Sequence, residues 1–367
     1  MASRSPILRP LGKNGPLVPR IGFGAMQLGF PGSRTTEPIP DPDRLALFDQ
    51  LYEAGCTFWD TSDLYGDSEV IIGKWLALNP DKRKDVFIGT KFGAIQLPNG
   101  FSFRGDAEYV PIACEQSLKR LGVETIDLWY PHRLDGSTPV EHIIAEMAKL
   151  KEQGKIRCIG LSEVSSGTLR RAHAVHPISC VQMEYSAFST EIESPQYKLL
   201  ETCRELGVAV VAYSPLSRGM LGGAIQGPGD FEEGDVRRFY PRFSKENFAK
   251  NMELVDAIKA VAVKKGVTVA QTALAWLLSQ GDDVFPIPGT INAKYMKENF
   301  EAMFVELTPD EVQEIRRLVD NASVLGERYP AEHAYALFAD TPRPDGWENH
   351  GGDRDRGKLG RLIFDRE

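Results

Sequence analysis

The stretch from Ile126 to Ser162, IDLWYPHRLDGSTPVEHIIAEMAKLKEQGKIRCIGLS, holds the repeating unit of this chain. It opens on one apolar run, Ile126–Tyr130, and ends on another, Ile156–Leu161. Neither alternates strictly between apolar and polar residues, the pattern of parallel strands buried on both faces. Between them Pro139–Gln153 spaces its apolar residues helically, and Gly154 stands where a left-handed residue would end the helix. Strand, crossover helix and strand form one parallel unit.

The unit recurs in both directions. Ile21–Met26, Thr57–Thr61, Val86–Thr90, Cys180–Gln182, Val208–Tyr213 and Val284–Ile287 read as further strands, and Tyr109–Leu121 and Tyr197–Leu206 as helices. Gly122, Gly207 and Gly266 repeat the helix stop. Eight strands with crossover helices favour an α/β fold closed into a (β/α)8 TIM barrel over an open sheet. A single domain is expected over residues 1–340. Residues 7–19 read as a hairpin turning at Asn14-Gly15. Residues 218–252 form a long, Gly- and charge-rich insertion after the seventh strand, of a length that is usually functional or disordered. The polar tail, 341–367, is expected to be extended or mobile, with Leu362-Ile363-Phe364 as a cluster that would dock.

Of the 367 residues, 42% are hydrophobic and 26% charged, and the net charge is −8. No basic stripe points to nucleic acid, and no run of about 18 apolar residues would span a membrane. The five cysteines (Cys56, Cys114, Cys158, Cys180, Cys203) form no CxxC and sit in apolar segments, which reads as reduced core thiols of a cytoplasmic protein.

Catalytic groups of such barrels project from the C-terminal strand ends. There the sequence places Asp60, Lys91, His132, Ser162, Gln182 and Tyr213-Ser214, and then the PGT turn after Ile287. Any one of these alone reads more readily as a strand-end cap or loop residue; together, in register, they outline a site. The set suits carbonyl reduction, because hydride delivery leaves an alkoxide that needs a proton donor and a stabilised oxyanion. A free phenol, with a pKa of about 10, is a weak donor at neutral pH. A nearby ammonium, Lys91 held by Asp60, would lower the pKa of Tyr65, and His132 would position the carbonyl oxygen.

The segments GFGAMQLG, WDTSDLYGDSE, TKFG, LGVETIDLWYPHR, GKIRCIGLSE, VQMEYS, VAYSPLSRGMLGG and PIPGT, in this order, resemble the aldo-keto reductases over about residues 7–340. The similarity is greatest to the branch of plant and fungal aryl-aldehyde, perakine-reductase-like and pyridoxal-reductase-like enzymes. It implies Asp60, Tyr65, Lys91 and His132 as the catalytic tetrad. It further implies that Gly24, Ala25 and Met26 border the cofactor, that Ser162 and Gln182 hold the nicotinamide carboxamide, and that Tyr213 stacks on its ring. Ser162 is followed by Glu163, where relatives carry Asn. Ser214, Leu216, Ser217 and Arg218 would cradle the pyrophosphate, residues 218–252 would fold over the cofactor, and Gly289, Thr290, Lys294, Glu298 and Asn299 would hold the adenosine end. Ile291, Asn292 and Tyr295 stand where relatives carry basic residues, which leaves Thr290 and Lys294 for a 2′-phosphate. NADP is the expected cofactor, with NAD the alternative.

Two glycine patterns mislead. Gly22 to Gly29 lacks the third glycine of a dinucleotide fingerprint at its proper place, and Gly352 to Lys358 has Leu359 where a P-loop needs Ser or Thr. Met26, Phe30, Trp59, Phe92 and Trp129 would line an apolar pocket or fill the core, with core favoured for the tryptophans. Arg133 would attract a polar or anionic substituent. The expected activity is NADP-dependent reduction of a small aldehyde or ketone by a monomer or weak oligomer. The alternatives are the alcohol-oxidising direction on aryl alcohols or pyridoxine, and a cofactor-binding regulatory subunit of the same fold. A metal-dependent barrel has no HxH pair in its support.

Overall fold

The computed structural model describes residues 4–29, 39–97 and 100–344. Eight parallel strands run in the order expected: β1 (Phe23–Gly24), β2 (Phe58–Asp60), β3 (Phe87–Phe92), β4 (Ile126–Pro131), β5 (Ile156–Ser162), β6 (Cys180–Glu184), β7 (Ala209–Tyr213) and β8 (Val284–Pro286). Each pairs with its sequence neighbour. The two ends meet where Gly22 N donates to Pro286 O (2.9 Å) and Gly24 N to Pro288 O (3.3 Å). Gly24 is required there: a Cβ would stand 2.8 Å from the Ile287 carbonyl oxygen. The protein is a (β/α)8 barrel.

The side-chain period of two sorts each strand into an inner and an outer set. Phe58, Leu128, Tyr130, Cys158, Cys180, Val211 and Phe285 fill the barrel. Trp59, Ile88, Trp129 and Ile159 point outward to the helices. Strict alternation is missing from the sequence because both sets are apolar. Trp59, Phe92 and Trp129 are therefore core, not pocket, and Phe92 stacks on Trp129 at 4.0 Å. The same period carries the inner set onward to polar residues at the strand ends: Phe58 to Asp60, Gly89 to Lys91, Tyr130 to His132, Cys180 to Gln182, Val211 to Tyr213.

The outer layer includes α1 (Asp41–Glu53), α2 (Ser68–Leu78), α3 (Tyr109–Leu121), α4 (Val140–Glu152), α5 (Ser166–Val175), α6 (Leu199–Leu206), α7 (Lys245–Lys265), α8 (Val269–Leu278), α9 (Ala293–Glu301) and α10 (Pro309–Asn321). The stop glycines 122, 154, 207 and 266 all have positive φ, as their positions predicted. Strands Leu8–Pro10 and Leu17–Pro19 form the antiparallel N-terminal hairpin.

Several features depart from expectation. A second hairpin, Ala94–Leu97 with Gly100–Phe103, follows β3. The insertion after β7 folds as short 3-10 turns that bury Phe231, Arg237, Arg242 and Phe243, and its end, from Lys245, is already α7 with Ser244 as its N-cap. After α10 the chain returns across the strand ends, where Ala339 N donates to Glu163 O and Ser165 N to Ala339 O. The tail begins docked: Thr341 Oγ1 accepts from Val140 N, and Arg171 donates to the carbonyls of Thr341 and Pro342. Phe30, the P-loop-like stretch and Leu362-Ile363-Phe364 lie outside the described residues. The five cysteines are buried and unpaired. Among the described residues no helix is long and apolar enough to cross a membrane.

Candidate active site

A cavity of about 860 Å³ opens at the C-terminal strand ends. At one end its wall carries Asp60, Tyr65, His132 and Arg133, and toward the other Ser214, Leu216, Arg218, Gly289, Thr290, Glu298 and Asn299. Gly24, Met26, Gln182 and Tyr213 also line it.

Lys91 is fully buried, forms an ion pair with Asp60 and donates to the Thr61 carbonyl at 2.9 Å. Its ammonium stands 5.1 Å from the centre of the Tyr65 ring. Burial raises the Asp60 carboxyl and opposes the Lys91 ammonium; attraction to Asp60 and Tyr65 carries Lys91 above its ordinary value. Asp60 Oδ2 also accepts from Gln182 Nε2 at 2.8 Å, tying β2 to β6.

Burial pushes the Tyr65 phenol up, with Lys91 pulling the other way. The expected lowering is thus reversed, because desolvation of the phenolate outweighs a cation already shared with Asp60. Tyr65 stays protonated, the form a proton donor needs. Burial, with Arg133 and Lys91 adding repulsion, holds His132 well below its usual value and neutral at physiological pH. The Tyr65 and His132 rings meet edge to face at 5.5 Å.

The remaining anticipated residues divide between wall and support. Tyr213 donates to Glu163 Oε1 at 2.7 Å. Ser162 Oγ accepts from Arg133 at 3.0 Å and Ser217 Oγ bonds Ser186 Oγ at 3.0 Å, so both are held behind the wall. Ala25 N donates to Asp60 O, fixing the end of β1. Ser214, Ser217 and Arg218 all hold positive φ, a strained turn for residues other than glycine. Asn299 is buried at the wall, and among the described residues no protein hydrogen bond engages its amide. Glu298 accepts from Thr268 Oγ1 at 2.7 Å. Thr290 lines the cavity, whereas Lys294 sits on the exposed first turn of α9, away from the described lining.

Sequence reading missed the rest of the wall. Phe103 comes from the second hairpin, and Tyr329, His333, Tyr335 and Leu337 from the returning C-terminal segment. That segment is fastened by Arg328, which pairs with Glu163 at 3.1 Å and with Glu184 at 3.6 Å. Glu163 therefore has an identified partner far along the chain. It also missed Ser62, whose Oγ lies 2.8 Å from His132 Nδ1. The polar residues of DTSDLY were a signal, but not for this partner.

The sequence profile described as the Aldo/keto reductase family matches residues 20–320. Aldo-keto reductase yakc [NADP(+)] of Schizosaccharomyces pombe is 47% identical over 329 residues, covering 89% of this chain and 95% of that protein. Aldo-keto reductase str7 of Strobilurus tenacellus is 47% identical over 314 residues, covering 85% and 92%. The solved glycerol dehydrogenase AKR11B4 of Gluconobacter oxydans superposes with a TM-score of 0.76 at 27% identity, covering 88% of this chain and 97% of that one. With the family profile spanning most of the barrel and relatives matched nearly end to end, this chain belongs to the aldo/keto reductase family and is an oxidoreductase.

Proposed function

We propose that the protein reduces small aldehydes or ketones to alcohols with NADPH in the cytoplasm, with Tyr65 as the general acid. The observation that carries this reading is one continuous cavity. It joins a protonated phenol, flanked by a buried ammonium and a neutral imidazole, to a long, largely apolar wall of dinucleotide size set with Ser214, Arg218, Thr290 and Asn299. The residues present fit such a cofactor: the buried Asn299 amide offers unengaged hydrogen-bonding groups, Arg218 a cation, and the Tyr213 ring a flat face on the same cavity wall.

NADPH, when bound, supplies the hydride that a carbonyl carbon accepts. Tyr65 then gives its phenolic proton to the carbonyl oxygen, and Lys91 steadies the phenolate left behind. Asp60 keeps Lys91 charged and aimed. His132 presents the ring nitrogen not engaged by Ser62 to the same oxygen. Met26, Leu64, Phe103 and Tyr335 give the substrate end an apolar wall suited to an aryl or alkyl group.

The test is absorbance of the reduced nicotinamide with a panel of aromatic aldehydes and both NADPH and NADH. Turnover with NADPH is expected. Its absence, together with a stable assembly around a bound dinucleotide, would favour a regulatory role instead.

A further inference from the structure

His132 is neutral, so one ring nitrogen carries a hydrogen and the other a lone pair, and the two arrangements have opposite uses in the cavity. Its Nδ1 faces Ser62 Oγ at 2.8 Å, which leaves Nε2 for a ligand. Ser62 Oγ also accepts from Leu64 N at 3.1 Å and faces Asp63 Oδ1 at 3.2 Å. A hydroxyl has one proton to give, and here it has two takers. The other Asp63 oxygen, Oδ2, accepts from Gly93 N at 3.1 Å, so a proton on this carboxyl belongs on Oδ1, facing Ser62.

Resting on the carbonyl-reductase reading above, we infer that Asp63 and Ser62 are positioning residues that decide which ring nitrogen of His132 carries its hydrogen, through the chain Asp63 Oδ1, Ser62 Oγ, His132 Nδ1. With Asp63 protonated, its O–H donates to Ser62, Ser62 donates to Nδ1, and Nε2–H donates to a carbonyl oxygen. With Asp63 ionised the chain reverses: Nδ1–H donates to Ser62, Ser62 donates to the carboxylate, and Nε2 offers a lone pair to an alcohol hydroxyl. No atom moves far; only the hydrogens shift. The acidic state suits reduction and the alkaline state suits oxidation.

Asp63 is placed to switch. Burial, with Glu69 of α2 adding repulsion, raises it to about 7, against the opposing pull of Ser62, of Arg120 on α3 and of the Gly93 amide. Tyr109 of α3 feels its charge as well. On the other side His132 faces the cations Arg133 and Lys91.

The decisive measurement is 15N NMR of the free, histidine-labelled full chain, with His132 assigned by difference against His132→Asn. The wild type is expected to pass from the Nε2–H to the Nδ1–H form with a midpoint near 7, and Asp63→Asn and Ser62→Ala are each expected to abolish that passage. Two separate variants guard against misfolding of either. In parallel, kcat for aldehyde reduction should fall above the midpoint in wild type and stay flat in Asp63→Asn, with KM little changed. One tautomer throughout in wild type, or a passage that survives in both variants, overturns the inference. Absence of turnover with any carbonyl or alcohol would instead count against the proposed function, and the NMR readout would still decide the tautomer.

Discussion

The two ends of the cavity are built differently. At the Tyr65 end three polar groups are clamped: Lys91 by Asp60, Asp60 by Gln182, His132 by Ser62, all from the ends of barrel strands or the loop after β2. At the α9 end the helix start is exposed, Asn292 caps its own helix, and Lys294 stands in solvent. Proton transfer needs atoms held to a fraction of an ångström, whereas a phosphate can be met by a mobile cation. The contrast separates an end fixed by the barrel from one whose cation is exposed.

The sharpest way to break the rigid end is Tyr65→Phe. It removes the proposed proton donor while keeping the ring, and kcat should fall by roughly 10²- to 10⁴-fold with NADPH binding retained. Stopped-flow turnover and equilibrium fluorescence titration read the two parts separately. Equal loss of binding would show that Tyr65 holds the cofactor rather than the proton.

Lys91→Met tests the clamp as structure. It leaves the Asp60 carboxylate buried without its cation, and urea unfolding should show a loss of about 3–5 kcal/mol. A loss below about 1 kcal/mol would mean that Asp60 is neutral in the folded protein.

Asp63 gives a smaller effect whose size depends on pH. Its folded value of about 7 lies above the ordinary carboxyl value of 3.8. Between these the folded chain holds a proton that the unfolded chain has released, so stability falls as pH rises through that window. Asp63→Asn should therefore gain stability at about pH 8, by at most about 4 kcal/mol at roughly 1.4 kcal/mol per unit, and gain almost nothing at about pH 4. A gain independent of pH would assign the effect to packing.

The smallest change belongs to the loose end. Lys294→Ala should weaken NADPH by about tenfold or less, near 1 kcal/mol, and leave NADH unchanged. A change of a hundredfold would mean that the first turn of α9 closes on the cofactor as firmly as the barrel holds Tyr65.

Much of this was legible along the chain. The strand–helix repeat came from apolar runs and stop glycines, which report backbone preference and burial locally. The polar residues directly after those runs marked the cavity, because the period of two that packs Phe58 and Tyr130 inside the barrel also points Asp60 and His132 into its mouth. The chemistry of carbonyl reduction suggested the pairing of Tyr65 with Lys91, and the family motifs agreed with it. The second hairpin after β3 had no such signal.

What tertiary structure alone decided were contacts between residues far apart in sequence and the balance of burial against charge. Arg328 meets Glu163 across 165 positions and Ser62 meets His132 across 70, spacings that no helical or strand period encodes. The direction of the Tyr65 shift depends on how much water the fold removes from the phenol, and the sequence names the cation beside it without giving that depth. The sequence by itself determined that Asp60, His132, Gln182 and Tyr213 reach the cavity, since local periodicity sets their direction. Their protonation was left to the fold, because desolvation is a property of the packed interior.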